Sequence, residues 1–314
     1  MGFYKYSVYG LTVVSDFPLA LPDEASEGSG SRCVRLILVS PDDFLAAAQD
    51  RVSVEDGWFK HAVLDDGSVY IRWEDLCEFV IAADGQRVLC KMPSNVELES
   101  FEAYLTTFAL SGALIQQGEE PLHATVVATN GSGIGLIGPS GVGKSTLAAF
   151  LIERGGALVT DDMLRLEFRD DVVVAFPGPR RLKLFKEPAQ RILKQALNCG
   201  RFNPFSEKLI FQPALFIDRS KGHQPLSALY FLDTPPRHGD PNSISIERLF
   251  GLDLFKTIAA STMNRRLNAA DRLERQFRST ERIANCIPVY KLMYPRDYDL
   301  LDQVADLIHQ RASP

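Results

Sequence analysis

The chain has 314 residues, of which 46% are hydrophobic and 24% charged, with a formal net charge of −6. This length and balance exclude a disordered tail, a collagen-like repeat and a coiled coil, and leave room for two domains. No apolar run reaches the roughly 18 residues that a membrane span needs, and the five scattered cysteines form no Cys-x-x-Cys pair, so neither a zinc site nor a disulfide framework follows from their spacing.

The opening residues Met-Gly-Phe-Tyr-Lys-Tyr lack the apolar core of a signal peptide, and Tyr6 breaks the myristoylation pattern. The expectation is a soluble cytoplasmic protein. Residues 3–9, 34–39, 59–64, 68–73 and 77–81 are short runs rich in Val, Ile, Phe, Tyr and Trp, and read as strands. Asp65-Asp66-Gly67 separates two of them and reads as a hairpin turn, because Asp-Gly accepts positive φ. Residues 25–31 form a Gly/Ser/Glu loop without chemistry. Residues 97–117 carry apolar side chains at helical spacing, with Gly118 as the stop.

Beyond that helix the texture changes. Residues 126–128 and 134–137 read as strands joined by Thr129-Asn130-Gly131-Ser132-Gly133. A glycine-rich loop, a helix over 144–154 and a short strand over 157–160 follow. Residues 164–168 and 172–176 read as a strand pair, and 226–232 as a buried strand. Helices are expected over 246–260, 265–284 and 297–311, with a strand over 289–293. The fold class is therefore α/β with a mixed sheet, organised as a β-rich N-terminal module (1–118) and a larger nucleotide domain (119–314).

Charge divides unevenly along this plan. Residues 1–100 hold 17 acidic and 8 basic side chains, whereas residues 178–221 hold 10 basic and 3 acidic ones. Nucleic acid is not an expected partner, since the chain is acidic and lacks zinc-finger, RNP and helix-turn-helix signatures.

The strongest motif is Gly138-Pro139-Ser140-Gly141-Val142-Gly143-Lys144-Ser145-Thr146, which fits the phosphate-loop pattern G-x-x-x-x-G-K-[ST] at every fixed position. An apolar strand precedes it and a helix follows, so backbone N–H groups can surround a polyphosphate at the positive end of that helix. Lys144 is then placed to bridge the terminal phosphates, and the Ser145 hydroxyl to ligate Mg²⁺. The guanine reader of GTPases and the signature of transporter ATPases are both absent from the sequence. Asp233, closing an apolar strand, reads more simply as a strand-end residue than as a metal-orienting acid.

Asp161 and Asp162 follow Lys144 by 17 and 18 residues, which a helix and a returning strand can bring beside the phosphates. One carboxylate can take a proton from an attacking hydroxyl while Asp162 or its neighbour holds the metal. Which of the two is the base stays open. His123 lies 21 residues before Lys144.

Leu122-His123-Ala-Thr-Val-Val, the loop 138–146 and Leu158-Val-Thr-Asp161-Asp162 together resemble the catalytic core of the HPr kinase/phosphorylase family. The resemblance spans about 120–300 and is clearest up to about residue 165. It implies a core similar to HPr kinase and phosphoenolpyruvate carboxykinase, with ATP and Mg²⁺ as cofactors. It also implies phosphorylation of a serine on a peptide or small protein, one of Asp161 and Asp162 as base, and His123 as the residue that tunes or positions it. The family's Glu-x-Arg-Gly-x-Gly stretch has no counterpart; Phe176-Pro-Gly-Pro-Arg-Arg-Leu-Lys-Leu184 stands there instead. This puts phosphorylase activity in doubt. The N-terminal region, including Tyr9-Gly-Leu-Thr-Val-Val-Ser-Asp16, resembles a divergent branch of HPr-kinase-like proteins, some members of which phosphorylate the C-terminal serine of a lasso-peptide precursor.

In the basic stretch Arg180, Arg181, Lys183, Lys186, Arg191 and Lys194, the first two are the expected substrate contacts, because arginine pairs well with carboxylate or phosphate. The expected function is an ATP-dependent serine kinase. A small-molecule kinase and a non-catalytic ATP-sensing regulator are the alternatives. Self-association into a homo-oligomer is left open.

Overall fold

The computed structural model describes residues 2–22, 32–48, 58–170, 172–193, 197–201, 206–212, 222–234, 243–267 and 271–312. The loop expected over 25–31 and Lys194 lie outside the described residues. Among the described residues, three sheets and the helices packed on them make a mixed α/β fold.

The first sheet contains β1 (Tyr4–Val8), β2 (Leu11–Ser15), β3 (Cys33–Leu38), β4 (Phe59–Val63), β5 (Val69–Trp73), β6 (Cys77–Ile81) and β7 (Arg87–Lys91), in the order β1-β2-β3-β7-β6-β5-β4. Strand β2 buries Leu11, Val13 and Ser15 and leaves Thr12 and Val14 half-exposed, the period of two that one covered face produces. The expected turn joins β4 to β5, with Gly67 at φ 80° and the Ser68 N–H donating to Asp66 Oδ1 at 2.9 Å. Helix α1 (Pro41–Ala47), capped by Ser40, covers one face through Phe44.

On the other face lies a long helical segment: α2 (Leu98–Tyr104), a π-helical turn (Leu105–Ala109) and α3 (Leu110–Gln116). Phe101, Tyr104, Leu105, Leu110 and Leu114 pack with Val13, Leu36, Phe79 and Ile81 of the sheet. Met163, Met263 and Leu267 join the same core from the other half of the chain. The helix expected over 97–117 is therefore present, widened by one turn where Thr106 and Thr107 are buried.

The second sheet is built from β8 (Leu122–Thr129), β9 (Ser132–Ile137), β10 (Ala157–Thr160), β11 (Met163–Leu164), β12 (Leu166–Arg169) and β13 (Val172–Ala175). After helix α4 (Lys144–Glu153) is set aside, the remaining strands of this sheet come later in the chain. A small third sheet intervenes: β14 (Leu182–Phe185), helix α5 (Lys186–Ile192), β15 (Leu197–Arg201) and β16 (Lys208–Gln212), paired β14-β16-β15. Then β17 (Gln224–Asp233), β18 (Ser245–Arg248), helices α6 (Gly251–Ala260) and α7 (Arg272–Cys286), β19 (Val289–Met293) and helix α8 (Leu301–Ala312) complete the chain.

The central run is β10-β8-β9-β17-β13-β12, with β19 parallel to β17, β18 beside β19, and β11 beside β8. Strands β9, β17 and β19 are mutually parallel neighbours. Helices α4, α5 and α8 cover one face and α6 and α7 the other.

Three expectations need correction. The helix expected over 246–260 begins at Gly251, because 245–248 pairs antiparallel with β19 as an edge strand. The helix expected over 265–284 begins at Arg272 and ends at Cys286. The strand expected over 164–168 is broken at Arg165, whose side chain turns toward Tyr9, Gly10 and Glu119.

Candidate active site

The glycine-rich loop leaves β9 at Gly138 (φ 137°), where a Cβ would stand 2.7 Å from the Leu232 carbonyl oxygen. Gly141 and Gly143 also take positive φ, 78° and 114°, conformations that favour glycine. Gly143 caps α4 without any side-chain bond, and Leu147 N–H already donates to its carbonyl. The first N–H groups of the helix therefore face the loop. Lys144 is buried, and its ammonium donates to the Gly138 and Pro139 carbonyls at 2.8 and 3.1 Å.

Two further elements close on this loop. Strand β8 presents His123 and Thr125, two residues apart and so on one face. Strand β10 runs antiparallel to β8 and ends at Asp161-Asp162. The turn after it is tight: Thr160 Oγ1 donates to the Met163 carbonyl at 2.7 Å, and Asp162 sits at φ 66°, which a short polar side chain tolerates. Thr125 Oγ1 donates to Asp161 Oδ1 at 2.7 Å, and the Lys183 N–H donates to Oδ2 at 2.9 Å. The Lys183 ammonium forms an ion pair with Asp162 Oδ2.

The result is one small cavity of about 80 Å³ walled by Ser140, Gly141, Gly143, Lys144, Ser145 and Thr146 on the loop side, and by His123, Thr125, Asp161, Asp162, Lys183 and Lys208 opposite. The expected cluster of His123, the glycine-rich loop and the Asp pair is thus brought to one place. Gly138 contributes its carbonyl to Lys144 rather than a wall, and Val142 turns into the neighbouring core and an adjoining cavity.

Burial dominates the electrostatics. It raises the Asp161 carboxyl, and the neighbouring Asp162 adds to that rise. Burial also acts to raise Asp162, but the Lys183 ammonium, helped by His123, outweighs it and holds that carboxyl below the usual range. Burial, with the Lys144 charge, lowers His123 to about 4, so the imidazole is neutral at pH 7. Lys144 is lowered by burial to about 8, although both aspartates favour its charge. Two carboxylates thus sit apart in acidity within one charged cavity.

Arg180 and Arg181 lie elsewhere. They line a cavity with Ala20, Glu99 and Glu102, and Arg181 donates to the Glu102 carbonyl at 3.1 Å and to Thr106 in the π-helical turn. Arg191 pairs with Glu187 on the exposed face of α5. Asp233 ends β17 in an ion pair with Lys291 at 2.9 Å, off the cavity wall.

Three polar cavity residues were not among the expected site residues: Thr125, Lys183 and Lys208. Two were legible in the alternation of strands. Thr125 follows His123 at a spacing of two. Lys183 stands between Leu182 and Leu184, both core residues, so β14 must turn it to the opposite face. Lys208 had no local signal, since it arrives through pairing with Phe185 across β14 and β16.

Residues 116–184 match the HPr Serine kinase C-terminal domain, a segment running from the end of α3 to β14 and holding every wall residue except Lys208 and Phe185. This core is HPr-kinase-like. An HPr kinase/phosphorylase of Lactobacillus gasseri is 36% identical over 93 residues, which cover 28% of this chain and 29% of that protein. One from Shouchella clausii is 30% identical over 163 residues, 51% of this chain and 52% of the relative. The chain thus spans about half or less of the length of these curated relatives. The Hpr(Ser) kinase/phosphatase structure from Coxiella burnetii aligns with a TM-score of 0.33 at 14% identity, over 60% of this chain and 94% of that one. Among the described residues, no helix is long and apolar enough to cross a membrane.

Proposed function

We propose that this chain is an ATP-dependent serine kinase that transfers the γ-phosphoryl group to a serine hydroxyl of a peptide or small protein. The observation that carries the reading is the convergence of the glycine-rich loop and the Asp161-Asp162 pair on one cavity. In the transfer, the serine oxygen bonds to the γ-phosphorus, the bond to the β–γ bridging oxygen breaks, and the hydroxyl proton passes to a carboxylate.

Asp162 is the better base. Both oxygens of buried Asp161 already accept hydrogen bonds, from Thr125 and from the Lys183 N–H. Asp162 is more open, and its ion-pair partner, Lys183, holds it ionised. A low carboxyl pKa is tolerable because the transition state of phosphoryl transfer is loose and asks little of the base. Asp161 then orients the turn. Lys144 releases the loop carbonyls to meet the phosphates, and His123, kept neutral at pH 7 by burial, lines the same cavity as Asp162.

The donor set also fits Mg²⁺. Ser145 on the loop side and Asp161 and Asp162 opposite offer hard oxygen ligands to one cavity, and Mg²⁺ ordinarily needs only one or two carboxylates besides nucleotide phosphates and water. When bound, Mg²⁺ would neutralise charge developing on the phosphates. The most specific acceptor under this reading is the C-terminal serine of a lasso-peptide precursor.

The test is incubation with Mg-ATP and serine peptides, read by mass spectrometry, beside Asp162→Asn. The variant should bind ATP yet lose turnover by about 10²–10⁴. Phosphate appearing on a small metabolite and on no peptide would remove the peptide-kinase reading. Unchanged output from Asp162→Asn would favour an ATP sensor.

A further inference from the structure

A groove of about 520 Å³ opens beside the N-terminal end of β8, lined by residues that the cavity of the Asp pair does not use. The two lie close together. Pro121 lines the groove, while His123, two residues further along, lines the cavity. Arg165 lines the groove, three residues after Asp162 on the cavity wall. At no more than about 3.6 Å per residue, the backbones of the two walls come within about 7–11 Å at these points.

The groove is cationic. Five arginines line it against three glutamates, Glu119, Glu120 and Glu167. Those carboxylates are already shared. Glu119 pairs with both Arg32 and Arg165, each at 2.7 Å, and Glu120 with Arg275 and the buried Arg272, at 3.4 and 3.0 Å. Glu167 pairs with Arg169. Arg275, Arg278 and Arg282 follow one another on α7 at spacings of three and four, so they stand on one side of the helix, with Ser279 among them. Arg278 holds only the exposed Glu274, a pair of little worth in water. Arg282 lies 4.2 Å from the centre of the Phe168 ring and meets no carboxylate among the described residues.

Leu166–Phe168 of β12 also line the groove, and β12 is the last strand of its run. Alternate residues of such an edge turn their N–H and C=O groups away from β13, a pattern that an added peptide strand completes. A single small anion would meet the arginines and leave this edge unpaired. An extended acidic peptide uses both.

We propose that this groove docks an acidic segment of the acceptor peptide, laid along β12 with its carboxylates on Arg278 and Arg282 while its serine reaches Asp162. The proposal rests on the peptide-kinase reading above and adds what is recognised beside the serine.

Fluorescence anisotropy with two labelled serine peptides on the full chain tests it, one with a run of glutamates beside the serine and one with glutamines in their place. The glutamate peptide should bind about tenfold more tightly, the scale of two partly exposed charge pairs. Arg278→Gln combined with Arg282→Gln should abolish that preference without moving the melting temperature, because both side chains are exposed. Arg278→Lys combined with Arg282→Lys keeps the charge and should keep most of the preference. Equal binding of the two peptides by the unaltered chain, or a preference that survives the glutamine pair, overturns the groove. Citrate binding that the glutamine pair removes, with both peptides bound alike, would mark a small-anion site and overturn it too. Initial rates with Mg-ATP separate this proposal from the reading beneath it. Transfer to both peptides at one KM, with or without the two arginines, removes the groove and leaves the kinase. Arginine-dependent binding of the glutamate peptide with no phosphate on either peptide removes the kinase and the acceptor role, and leaves a site for acidic peptides.

Discussion

Lys144 and Lys183 are both buried beside the aspartates, and burial works against both ammonium charges. For Lys144 the folded pKa falls to about 8, so the side chain is a cation below that pH and loses its proton above it. A polyphosphate favours the cation. ADP affinity should therefore be full near neutrality and fall as pH rises through about 8, as binding isotherms at about pH 7 and about pH 9 would show. Lys144→Arg should flatten that fall, because a guanidinium keeps its proton. Lys183 holds Asp162 low, which places the carboxylate's stabilising charge at neutral pH and removes it as pH falls through the depressed pKa. Lys183→Met leaves two carboxylates facing each other without their cation. It should cost about 3–5 kcal/mol in denaturant unfolding, and it should move the acidic limb of the pH–rate profile upward. An unmoved limb would mean that Asp162 is not the titrating base.

Among the elements, the turn after β10 depends on a glycine outside the motif. Gly178 packs so closely on β10 that a Cβ would stand 2.2 Å from Thr160 Oγ1, and its N–H donates to the Val159 carbonyl at 2.9 Å. Thr160 in turn shapes the bend that aims Asp162. Gly178→Ala should cost about 1–3 kcal/mol and reduce turnover together with the melting temperature; an unchanged melting temperature would show that the close approach constrains nothing. Helix α4 and the turn of the hairpin β8–β9, both legible from patterning, carry their own instructions: a glycine stop, an apolar run and Asn130-Gly131 at positive φ. The edge strand β18 did not. Apolar spacing at 246–260 continues across it, and its extended form is set by pairing with β19, a partner more than forty residues away.

At the scale of the molecule, Arg165 joins the first sheet to the Asp-bearing half. It donates to Glu119 at 2.7 and 2.9 Å and to the Tyr9 and Gly10 carbonyls, both at 3.1 Å, while its guanidinium lies over the Phe176 ring. Tyr9 N–H donates to the Pro177 carbonyl at 2.8 Å, one residue before Gly178. The β1–β2 turn is thus packed behind the turn that carries Asp161 and Asp162. Arg165→Met should cost on the order of 3 kcal/mol, since it removes the buried one of the two arginines that pair with Glu119 and takes this donor from two carbonyls. Unfolding should remain a single transition in both proteins, because Met163, Met263 and Leu267 belong to the core of the first sheet. Two separate transitions in the unaltered chain would show that the halves fold independently.

Length, composition and an overall net charge of −6 determined little beyond a folded α/β chain of ordinary character. The local motif determined more: the glycines, Lys144 and Ser145 are contiguous, so their geometry follows from a strand, a turn and a helix within ten residues. The charge contrast was legible, but its working part was not. Arg180 and Arg181, first in the basic stretch, line a separate cavity, with Arg181 bonded to the π-helical turn, whereas Lys183 and Lys208 enter the cavity beside the glycine-rich loop. Strand alternation and cross-strand pairing decide which side chain of a basic run faces which cavity, and pairing joins residues that are distant in the chain. The tertiary structure therefore selected the cations, and with them the electrostatics of the Asp pair.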